Sequence, residues 1–372
     1  MTDPGTTAPT TASTAPTTAS TAPTTAPTAP TTASTAPTAA PTTIAVIAGE
    51  VGVSVTTVSK VLNGRADVAP HTRARVEASL RRHQYRRRTR GPATAGHLDL
   101  VFHEYGSAWT MEIIRGVDAV AAPANVGVAL SHLDGRHRPS RHWFDGAVAR
   151  RPLGMLFVLC TVTDEQRERL ARQRIPFVVV DSDSATSASV PTIGANNWSG
   201  GLLATRHLIG LGHRRIAIIS GPADVLCSRA RVAGFRSAHE EAGLPVDASL
   251  ARYGNFHVGG GDEHATSLLA LDDRPTAIFA GSDMQAIGVY RAARRLGLDI
   301  PGDLSVIGYD NLPVAEWIGP ALTTVNQPLR DMAGTATRML LDLARGAEPP
   351  TTRIDFVTEL VVRESTAPPP GR

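Results

Sequence analysis

Small polar side chains alternate with valines in the segment SVTTVSKVLN at residues 54–63. If residues 55–62 form a helix, Val58 and Val61 turn to the same side, because residues three or four apart share a helix face. On the other side, a lysine can donate to guanine in the major groove of DNA, and a threonine can contact a base edge or a thymine methyl group. The sequence therefore predicts a DNA-reading surface that consists of Val55, Thr56, Ser59 and Lys60.

A second set of polar and aromatic residues lies at or near the ends of predicted strands and helices, where parallel sheets bind ligands. Carboxylates and a guanidinium form paired hydrogen bonds with sugar hydroxyl groups, and aromatic rings stack on the apolar faces of a sugar. This set predicts a binding crevice for a small polar ligand. Its members are Trp109, Asp181, Arg229, Phe256, Ser282 and Asp310.

Simpler structural roles are open for several of these side chains. Trp109 could pack as a hydrophobic staple, Arg229 could form an ion pair between domains, and Asp310 could be a turn residue. The neighbouring Asp283 could cap the helix that it precedes.

Three short helices are expected to hold the DNA-reading surface. Gly52 permits a tight turn, Ser54 is a good N-cap, and Asn63 with Gly64 can end a helix. Val53 would fill the corner between the first two helices. The expected helices are Ile44–Val51, Val55–Leu62, and a third that runs from Pro70 to about Gln84.

From Leu98 onward, apolar strand-like runs alternate with helical stretches. This alternation predicts an α/β body of two doubly wound subdomains with parallel sheets. The expected strands are Leu98–Phe102, Val126–Ser131, Gly154–Cys160, Phe177–Asp181, Ile216–Gly221, Thr276–Gly281 and Leu304–Asp310. The expected helices are 109–122, 140–150, 164–173, 199–211, 228–243, 262–272 and 284–296.

Charge is distributed unevenly along the 372 residues. Residues 43–90 carry ten Lys and Arg against three acids, a net charge of +7, whereas residues 91–372 are net −3. A basic head on a slightly acidic body indicates that nucleic-acid binding is confined to one small domain. Residues 1–41 are almost entirely Thr, Ala, Pro and Ser, so we expect them to be disordered.

Composition argues against several classes of protein. Cys160 and Cys227 have neither disulfide-framework nor zinc-site spacing, and we expect buried thiols. The chain has no run of 18 apolar residues and no secretory leader pattern, so we expect a cytoplasmic protein with no membrane partner. We also find no nucleophile elbow, phosphate-binding loop or paired histidine ligands, so we expect no enzyme, no metal and no cofactor.

The segment TIAVIAGEVGVSVTTVSKVLN at residues 43–63 resembles the DNA-binding head of the lactose-repressor (LacI/GalR) family. The pattern of that family is T-[IL]-x-x-[IV]-A-x-x-A-G-V-S-x-x-T-V-S-[RK]-V-L-N, and residues 52–63 fit it. Val46 and Val51 depart from it, since an acid and an alanine are usual there, but neither lies on the reading face.

The resemblance implies roles for the polar residues of the head. Val55, Thr56 and Lys60 would read bases. Thr43, Ser54, Thr57, Ser59, Asn63 and Thr72 would contact phosphates. Family members usually carry a hinge helix with a leucine, but this chain has no leucine between Tyr85 and Leu98. It offers Arg86, Arg87, Arg88 and Arg90 instead, either to bind phosphates or a narrow minor groove or as a solvated basic linker.

The body resembles the effector domain of the same family, which is related to periplasmic sugar-binding proteins. Its signatures are LGHRRIAII at residues 211–219, GSD at 281–283, and VIGYD at 306–310 followed by LTTV at 322–325. The resemblance places effector contacts at Asp181, Arg229, Phe256, Ser282 and Asp310, with Ser282 where asparagine is common. Trp109, near His103 and Glu104, would contact the effector from the other subdomain.

The predicted fold is thus a three-helix helix-turn-helix domain plus a periplasmic-binding-protein-like body. We expect a tail at 1–41, the head at 42–85, a basic linker at 86–97, the body at 98–365 and a disordered end at 366–372. One subdomain would comprise 98–194 plus about 326–348, and the other 195–322 plus about 352–365.

The predicted function is repression of transcription, with operator DNA, a sugar-like effector and a second copy of the chain as partners. A periplasmic binding protein would need a leader and no basic head. A regulator without ligand sensing would have lost the crevice residues. An enzyme would need a catalytic motif.

Overall fold

The computed structural model describes residues 44–62, 67–83, 96–182, 189–349 and 351–371. Contacts divide the chain into two compact units, with the boundary between residues 89 and 90. The predicted tail at 1–41 and most of the predicted linker at 86–97 lie outside the described residues.

The first unit is built from three helices, as predicted. They are α1 (Ile44–Val51), α2 (Val55–Leu62) and α3 (Pro70–Arg82). Gly52, at φ +69°, makes the turn between α1 and α2, whose axes differ by 108°. Ser54 caps α2, since its Oγ accepts a hydrogen bond from the Thr57 amide at 3.1 Å. Buried side chains from all three helices, including Ile47, Val58 and Val76, form a small aliphatic core.

A polar cluster joins the end of α1 to the end of α3. The Glu50 carboxylate accepts hydrogen bonds from Ser79 Oγ at 2.9 Å, from Arg82 Nη1 at 2.5 Å and from His83 at 2.5 Å. The hydrogen bond from Ser79 and that from His83 lower the pKa of Glu50. Arg75 Nη2 donates to the Val51 carbonyl at 2.7 Å, which satisfies one of the free carbonyls at the α1 terminus. The small unit is therefore held by polar contacts as well as by its core.

The second unit begins with alternating strands and helices. They are β1 (His97–Phe102), α4 (Ala108–Ala121), β2 (Gly127–His132), α5 (Arg141–Ala149), β3 (Gly154–Val158), α6 (Asp164–Arg172), β4 (Phe177–Val180) and β5 (Thr192–Ala195).

The alternation continues to the end of the chain. The next elements are α7 (Asn197–Gly210), β6 (Ile216–Ser220), α8 (Leu226–Glu241), a 3-10 turn (Ala248–Leu250), β7 (Ala251–Tyr253), α9 (Val258–Leu269), β8 (Ala277–Ala280) and α10 (Asp283–Arg295). They are followed by β9 (Ser305–Asp310), α11 (Val314–Trp317), β10 (Thr323–Asn326), α12 (Leu329–Ala344), β11 (Arg353–Phe356) and β12 (Glu359–Val361).

The strands form two six-stranded sheets, which define two subdomains. The first sheet has the order β2-β1-β3-β4-β5-β11, and all of its strands are parallel. The second has the order β7-β6-β8-β9-β10-β12, and only the pairing of β10 with β12 is antiparallel. Fully buried strands such as β3 and β8 read as continuous apolar runs because helices cover both faces of each sheet.

Each sheet has two apolar cores, one on either face. In the first subdomain, one core involves α4 and α12 and the other involves α5 and α6. In the second, the corresponding helices are α9 and α10 on one face and α7 and α8 on the other. The fold class predicted from the sequence is therefore confirmed.

The chain passes between the subdomains at three places: from β5 to α7, from β10 to α12, and from β11 to β12. The last crossing corrects the predicted division, which assigned 352–365 entirely to the second subdomain. β11 pairs in parallel with β5 in the first sheet, and only β12 joins the second. A two-residue connection between two edge strands carried no sequence signal for this change of sheet.

The expectation of a disordered end at 366–372 is also wrong for the described residues 366–371. The Ala367 amide donates to Ser305 Oγ at 3.0 Å, and the Ala367 carbonyl lies 2.9 Å from Nε2 of buried His213. Thr366 Oγ1 lies 3.0 Å from His207 Nε2. Two histidines of the second subdomain thus hold a segment whose composition alone suggested disorder.

Among the described residues, no single helix is both long and apolar enough to cross a membrane, and one bent pair, α1 with α2, meets that criterion by length and composition alone.

Candidate functional site

The candidate ligand site is a cleft between the two subdomains, at the carboxyl ends of the parallel strands. Its walls include the residues that follow β3, β4 and β7 and the last residue of β9, namely Leu159, Asp181, Phe256 and Asp310. The space between these walls is about 530 Å³, part of which is open to solvent.

All four of these residues have left-handed backbone. Their φ angles are +52° for Leu159, +48° for Asp181, +64° for Phe256 and +106° for Asp310. Left-handed backbone costs a residue with a side chain roughly 1–2 kcal/mol, and such residues cluster where function requires an exact side-chain position. The strand ends are therefore shaped for the cleft rather than for backbone stability.

A buried arginine on α8 organises the cleft wall. Arg231 is 3% exposed, and its Cζ lies 3.6 Å from the ring centroid of Tyr309. Its Nε donates to Asn197 Oδ1 at 2.8 Å, and Nη2 donates to Gln327 Oε1 at 3.2 Å. Nη1 donates to the carbonyl of Gly281. All three guanidinium nitrogens are therefore bonded within the protein.

Gln327 extends this network into the first subdomain. Its Nε2 donates to Asp181 Oδ2 at 2.7 Å, while its Oε1 accepts from Arg231. Gln327 lies between β10 and α12, and Asn197 begins α7, so both belong to places where the chain crosses between subdomains. The network therefore links the floor of the cleft to two of the three crossings.

Two buried carboxylates face this network. Burial raises the pKa of Asp181, and it raises that of Asp310 well above its usual range, although the nearby Arg231 opposes the shift in both. Asp310 Oδ1 is buried without a hydrogen-bond partner among the described residues, and Arg231 Nη2 is 3.9 Å away. A buried acceptor without a partner is uncommon, and in a cleft wall it marks a position for a donor from a ligand.

Aromatic and aliphatic side chains supply the apolar part of the cleft. Trp109, from α4, and Phe256 pack against the same buried cluster of Leu159, Val225 and Cys227. Residues of both subdomains contribute to this surface, so a ligand in the cleft would contact both. Burial raises the pKa of the Cys227 thiol to about 12, so this cysteine is a packing group rather than a nucleophile.

The position of Phe256 depends on a glycine. A Cβ on Gly221 would lie 2.0 Å from the Phe256 ring, so any larger residue would displace the ring from the cleft wall.

At the mouth of the cleft, a glutamate of the first subdomain meets a histidine of the second. Glu104 Oε1 lies 2.8 Å from His257 Nε2 and 3.3 Å from His103 Nε2. Burial lowers the pKa of His103, whose ring stacks on His137 at a centroid distance of 4.9 Å. His103 Nδ1 is buried and has no hydrogen-bond partner among the described residues.

Five of the six predicted effector contacts lie in the cleft wall: Trp109, Asp181, Phe256, Ser282 and Asp310. Arg229 does not. It is exposed, and its Nη1 donates to the Asp224 carbonyl at 2.8 Å. Arg231 occupies the cleft instead.

Helix periodicity distinguishes the two arginines. Cys227, Gly234 and Ala238 are buried and stand at positions −4, +3 and +7 from Arg231, which therefore lies on the inward face of α8. Arg229 lies two residues away, on the opposite face. This signal was available in the sequence, and the assignment to Arg229 missed it.

The Ser282 hydroxyl is already engaged in two hydrogen bonds. It donates to the Phe256 carbonyl at 2.9 Å and accepts from the Gln285 amide at 3.1 Å, so Ser282 is the N-cap of α10. The capping role considered for Asp283 is therefore wrong. The Asp283 carboxylate is buried and accepts hydrogen bonds from the Leu312 amide and from Thr324 Oγ1.

On the first unit, the predicted base-reading residues lie on the outer side of α2. Val55, Thr56 and Lys60 are exposed, whereas Val58 is buried. Lys60 Nζ forms an ion pair with Asp67 at 2.7 Å. Of the predicted phosphate contacts, Ser54 is exposed, and Thr57, Ser59 and Thr72 are partly exposed. Thr43, Asn63, Arg86, Arg87 and Arg88 lie outside the described residues.

Comparison with known proteins agrees with this architecture. Residues 43–88 match the family described as bacterial regulatory proteins, lacI family, and residues 205–366 match a periplasmic binding protein-like domain. The catabolite control protein A of Priestia megaterium is 31% identical over 329 residues, which cover 87% of this chain and 99% of that protein.

Two solved structures are similar across the whole fold. The complex of the transcriptional regulator CelR with cellobiose matches with a TM-score of 0.65 and 30% identity, over 87% of this chain and 99% of that one. The lac repressor dimer bound to operator and the anti-inducer ONPF matches with a TM-score of 0.68 and 25% identity, over 88% of this chain and 100% of that one.

A helix-turn-helix unit joined to a two-subdomain ligand cleft defines a DNA-binding regulator that responds to a small molecule. The chain belongs to the LacI family of bacterial transcription regulators. Members of this family are regulators rather than enzymes.

Proposed function

We propose that this protein is a repressor that binds a near-palindromic operator as a homodimer, and that a sugar in the cleft changes its affinity for the operator. The observation that carries the ligand half of the proposal is the cleft itself. Two buried acceptor atoms in this cleft, Asp310 Oδ1 and His103 Nδ1, have no hydrogen-bond partner among the described residues. The cleft wall also contains the aromatic side chains of Trp109 and Phe256.

A sugar fits this combination of groups. Its hydroxyl hydrogens can bond the carboxylate and imidazole acceptors, and its C–H faces can stack on the aromatic rings. The cellobiose complex of the related regulator CelR supports the same class of ligand.

The DNA half of the proposal rests on α2. A helix that exposes Val55, Thr56 and Lys60 while Val58 and Val61 are buried can enter the major groove without disturbing its own core. Val55, Thr56 and Lys60 would read base edges. Thr43, Ser54, Thr57, Ser59, Asn63 and Thr72, together with Arg86, Arg87 and Arg88, would contact phosphates.

Homodimer formation follows from the small size of one head, which gives too few contacts for operator affinity. A two-fold dimer places two reading helices about one helical turn of DNA apart. Ligand closes the cleft and so changes the angle between subdomains, and the linker that precedes β1 transmits this change to the head. Such coupling requires that the ligand bind the two states with different affinities.

The test is a mobility shift of the purified protein on the promoter DNA that flanks its own gene, with and without a panel of neutral sugars. We expect a retarded band that one sugar abolishes or strengthens. A band that no sugar affects would overturn the ligand half of the proposal and keep the DNA half. Absence of a band at low salt and micromolar protein would overturn the DNA half.

A further inference from the structure

The charge of the effector can be inferred from the hydrogen bonds of the guanidinium in the cleft wall. Arg231 is the only arginine or lysine of the described residues that lines the cleft. Its three nitrogens are bonded to Asn197, Gln327 and Gly281, and its face is covered by the Tyr309 ring. A phosphate or carboxylate of a ligand would have to break one of these bonds to reach it.

Two of the helix N-termini at the cleft are capped by serines. Ser107 caps α4 and accepts the Thr110 amide at 3.2 Å, and Ser282 caps α10 and accepts the Gln285 amide at 3.1 Å. At these two helices, an amide donor of the kind that binds anions is bonded to a serine hydroxyl.

Two of the groups that remain available are buried acceptors. Asp310 Oδ1 is an oxygen that no described residue contacts as a donor. His103 has an Nε2 that lies 3.3 Å from Glu104 Oε1, so Nε2 carries the hydrogen and the unpartnered Nδ1 is an acceptor. Glu104 and Asp181 add further acidic groups to the same wall.

We propose that the effector is an uncharged, hydroxyl-rich ligand and that the cleft excludes phosphorylated and carboxylated sugars. This inference rests on the proposed function and specifies its ligand class. A hydroxyl can donate to Asp310 or His103, whereas a phosphate dianion cannot donate to either and would lie near the Glu104 carboxylate at the mouth of the cleft.

Calorimetry on the full chain tests this inference with matched pairs of ligands. Each neutral sugar, such as glucose, ribose or cellobiose, is compared with an anionic partner, such as glucose 6-phosphate, ribose 5-phosphate or glucuronate. A 6-O-methyl glucose serves as a control for size. We expect the anionic partner of any sugar that binds to bind at least about tenfold more weakly, a difference of about 1.4 kcal/mol.

Two variants test whether the charge of the cleft, rather than its shape, sets the preference for neutral ligands. Glu104→Gln removes an acid from the mouth of the cleft, so we expect the ratio of neutral to anionic affinity to fall at least about threefold. Glu263→Gln, on the exposed face of α9, should leave the ratio unchanged.

An anionic sugar that binds as tightly as its neutral partner, or more tightly, would overturn the charge inference and leave the proposed function standing. If operator DNA is bound but no member of the panel binds the protein, the sugar assignment fails and this inference fails with it.

Discussion

At the scale of single residues, the cleft contains features that lower the stability of the folded chain and favour ligand binding. Asp310 is buried, has an unpartnered oxygen and lies at a strained φ of +106°. Neither property helps the chain to fold, and both place an unpartnered carboxyl oxygen where a ligand can reach it.

The first prediction follows from this residue. An acid with a raised pKa binds a proton more readily in the folded chain than in the unfolded chain, so its charge lowers stability as the pH rises above about 4. Asp310→Asn should therefore raise the melting temperature at pH 7.5, and the gain should shrink as the pH falls toward about 4. Affinity for the effector should fall at least about tenfold, because one carboxyl oxygen that can accept a hydrogen bond is replaced by an amide nitrogen.

Differential scanning calorimetry and ligand titration check both parts of this prediction. Asp272→Asn, at an exposed acid of the same subdomain, is the matched control and should change neither quantity. A lower melting temperature for Asp310→Asn across the whole pH range would contradict the argument.

The second prediction concerns base reading. Val55→Ala with Thr56→Ala removes two exposed side chains from α2 and leaves its buried residues intact. Each lost base contact is worth roughly 1–3 kcal/mol, so specific binding should weaken at least about tenfold while non-specific binding persists. Fluorescence anisotropy with operator and scrambled DNA measures both. Val46→Ala, an exposed valine on α1, should be neutral; equal losses on the two DNAs would refute base reading.

At the scale of elements, long and fully buried strands were predictable from sequence. Apolar runs such as Leu98–Phe102 and Ile216–Gly221 fall within one or two residues of β1 and β6. The strands that were missed, β5, β7, β10, β11 and β12, have three or four residues each, and β7, β11 and β12 lie at sheet edges. Their identity depends on pairing with distant segments, which a local pattern does not contain.

The candidate site divides in the same way. Residues next to a predicted strand end, such as Asp181 and Asp310, could be placed in the cleft because the strand positions them. Asn197 and Gln327, which lie at the crossings, could not be placed in this way. Their role depends on hydrogen bonds with Arg231 and Asp181, which are distant in the sequence. The network between them depends on how the chain returns to the first sheet.

The third prediction belongs to the crossing that carries Gln327. Gln327→Met keeps the size of the side chain but removes the donor to Asp181 and the acceptor for Arg231. Leaving buried polar groups unpaired costs about 1–3 kcal/mol. Urea unfolding of the full chain should show a loss of this order. Gln173→Met, at an exposed residue after α6, should show none; an unchanged midpoint for Gln327→Met would argue against the network.

The fourth prediction belongs to the contact between α1 and α3. Glu50 has a lowered pKa, so its stabilising effect is present above its ordinary value near 4.3 and is lost as the pH falls through the lowered one. Glu50→Gln should therefore increase amide hydrogen exchange in α1 and α3 severalfold at neutral pH, and the difference from the unmodified chain should vanish in acid.

Mass-spectrometric hydrogen exchange measures this effect peptide by peptide. Glu77→Gln, on α3 away from the cluster of Ser79, Arg82 and His83, is the control. Equal exchange in the two variants would show that the Glu50 contacts do not hold the helices together.

At the scale of the whole molecule, the subdomains of the body meet at the cleft mouth through Glu104 and His257. Side chains at this contact are roughly one-third to two-fifths exposed, and exposed ion pairs contribute about 0–1 kcal/mol. The contact therefore biases the opening of the cleft without locking it, as a ligand-controlled equilibrium requires.

The fifth prediction tests this bias. His257→Ala should shift the population toward an open cleft by at most about fivefold, in line with the small energy of such a pair. The distance distribution between spin labels placed on the two subdomains, measured without ligand, reports the shift. His142→Ala, at an exposed position on α5, should not alter it. A distribution for His257→Ala identical to that of the unmodified chain would exclude a role for the pair.

The three crossings between subdomains also constrain how genes of this kind can recombine. The described residues of the head lie within a single span of the chain, 44–83, so a single exchange event can move a complete reading helix with its supporting core. The cleft has no such continuity, because each subdomain is assembled from separate stretches and the last strands of both sheets lie within ten residues of one another, from Arg353 to Val361. DNA specificity can therefore be exchanged as a small block, whereas ligand specificity can be exchanged as a block only with the whole body, residues 90–372.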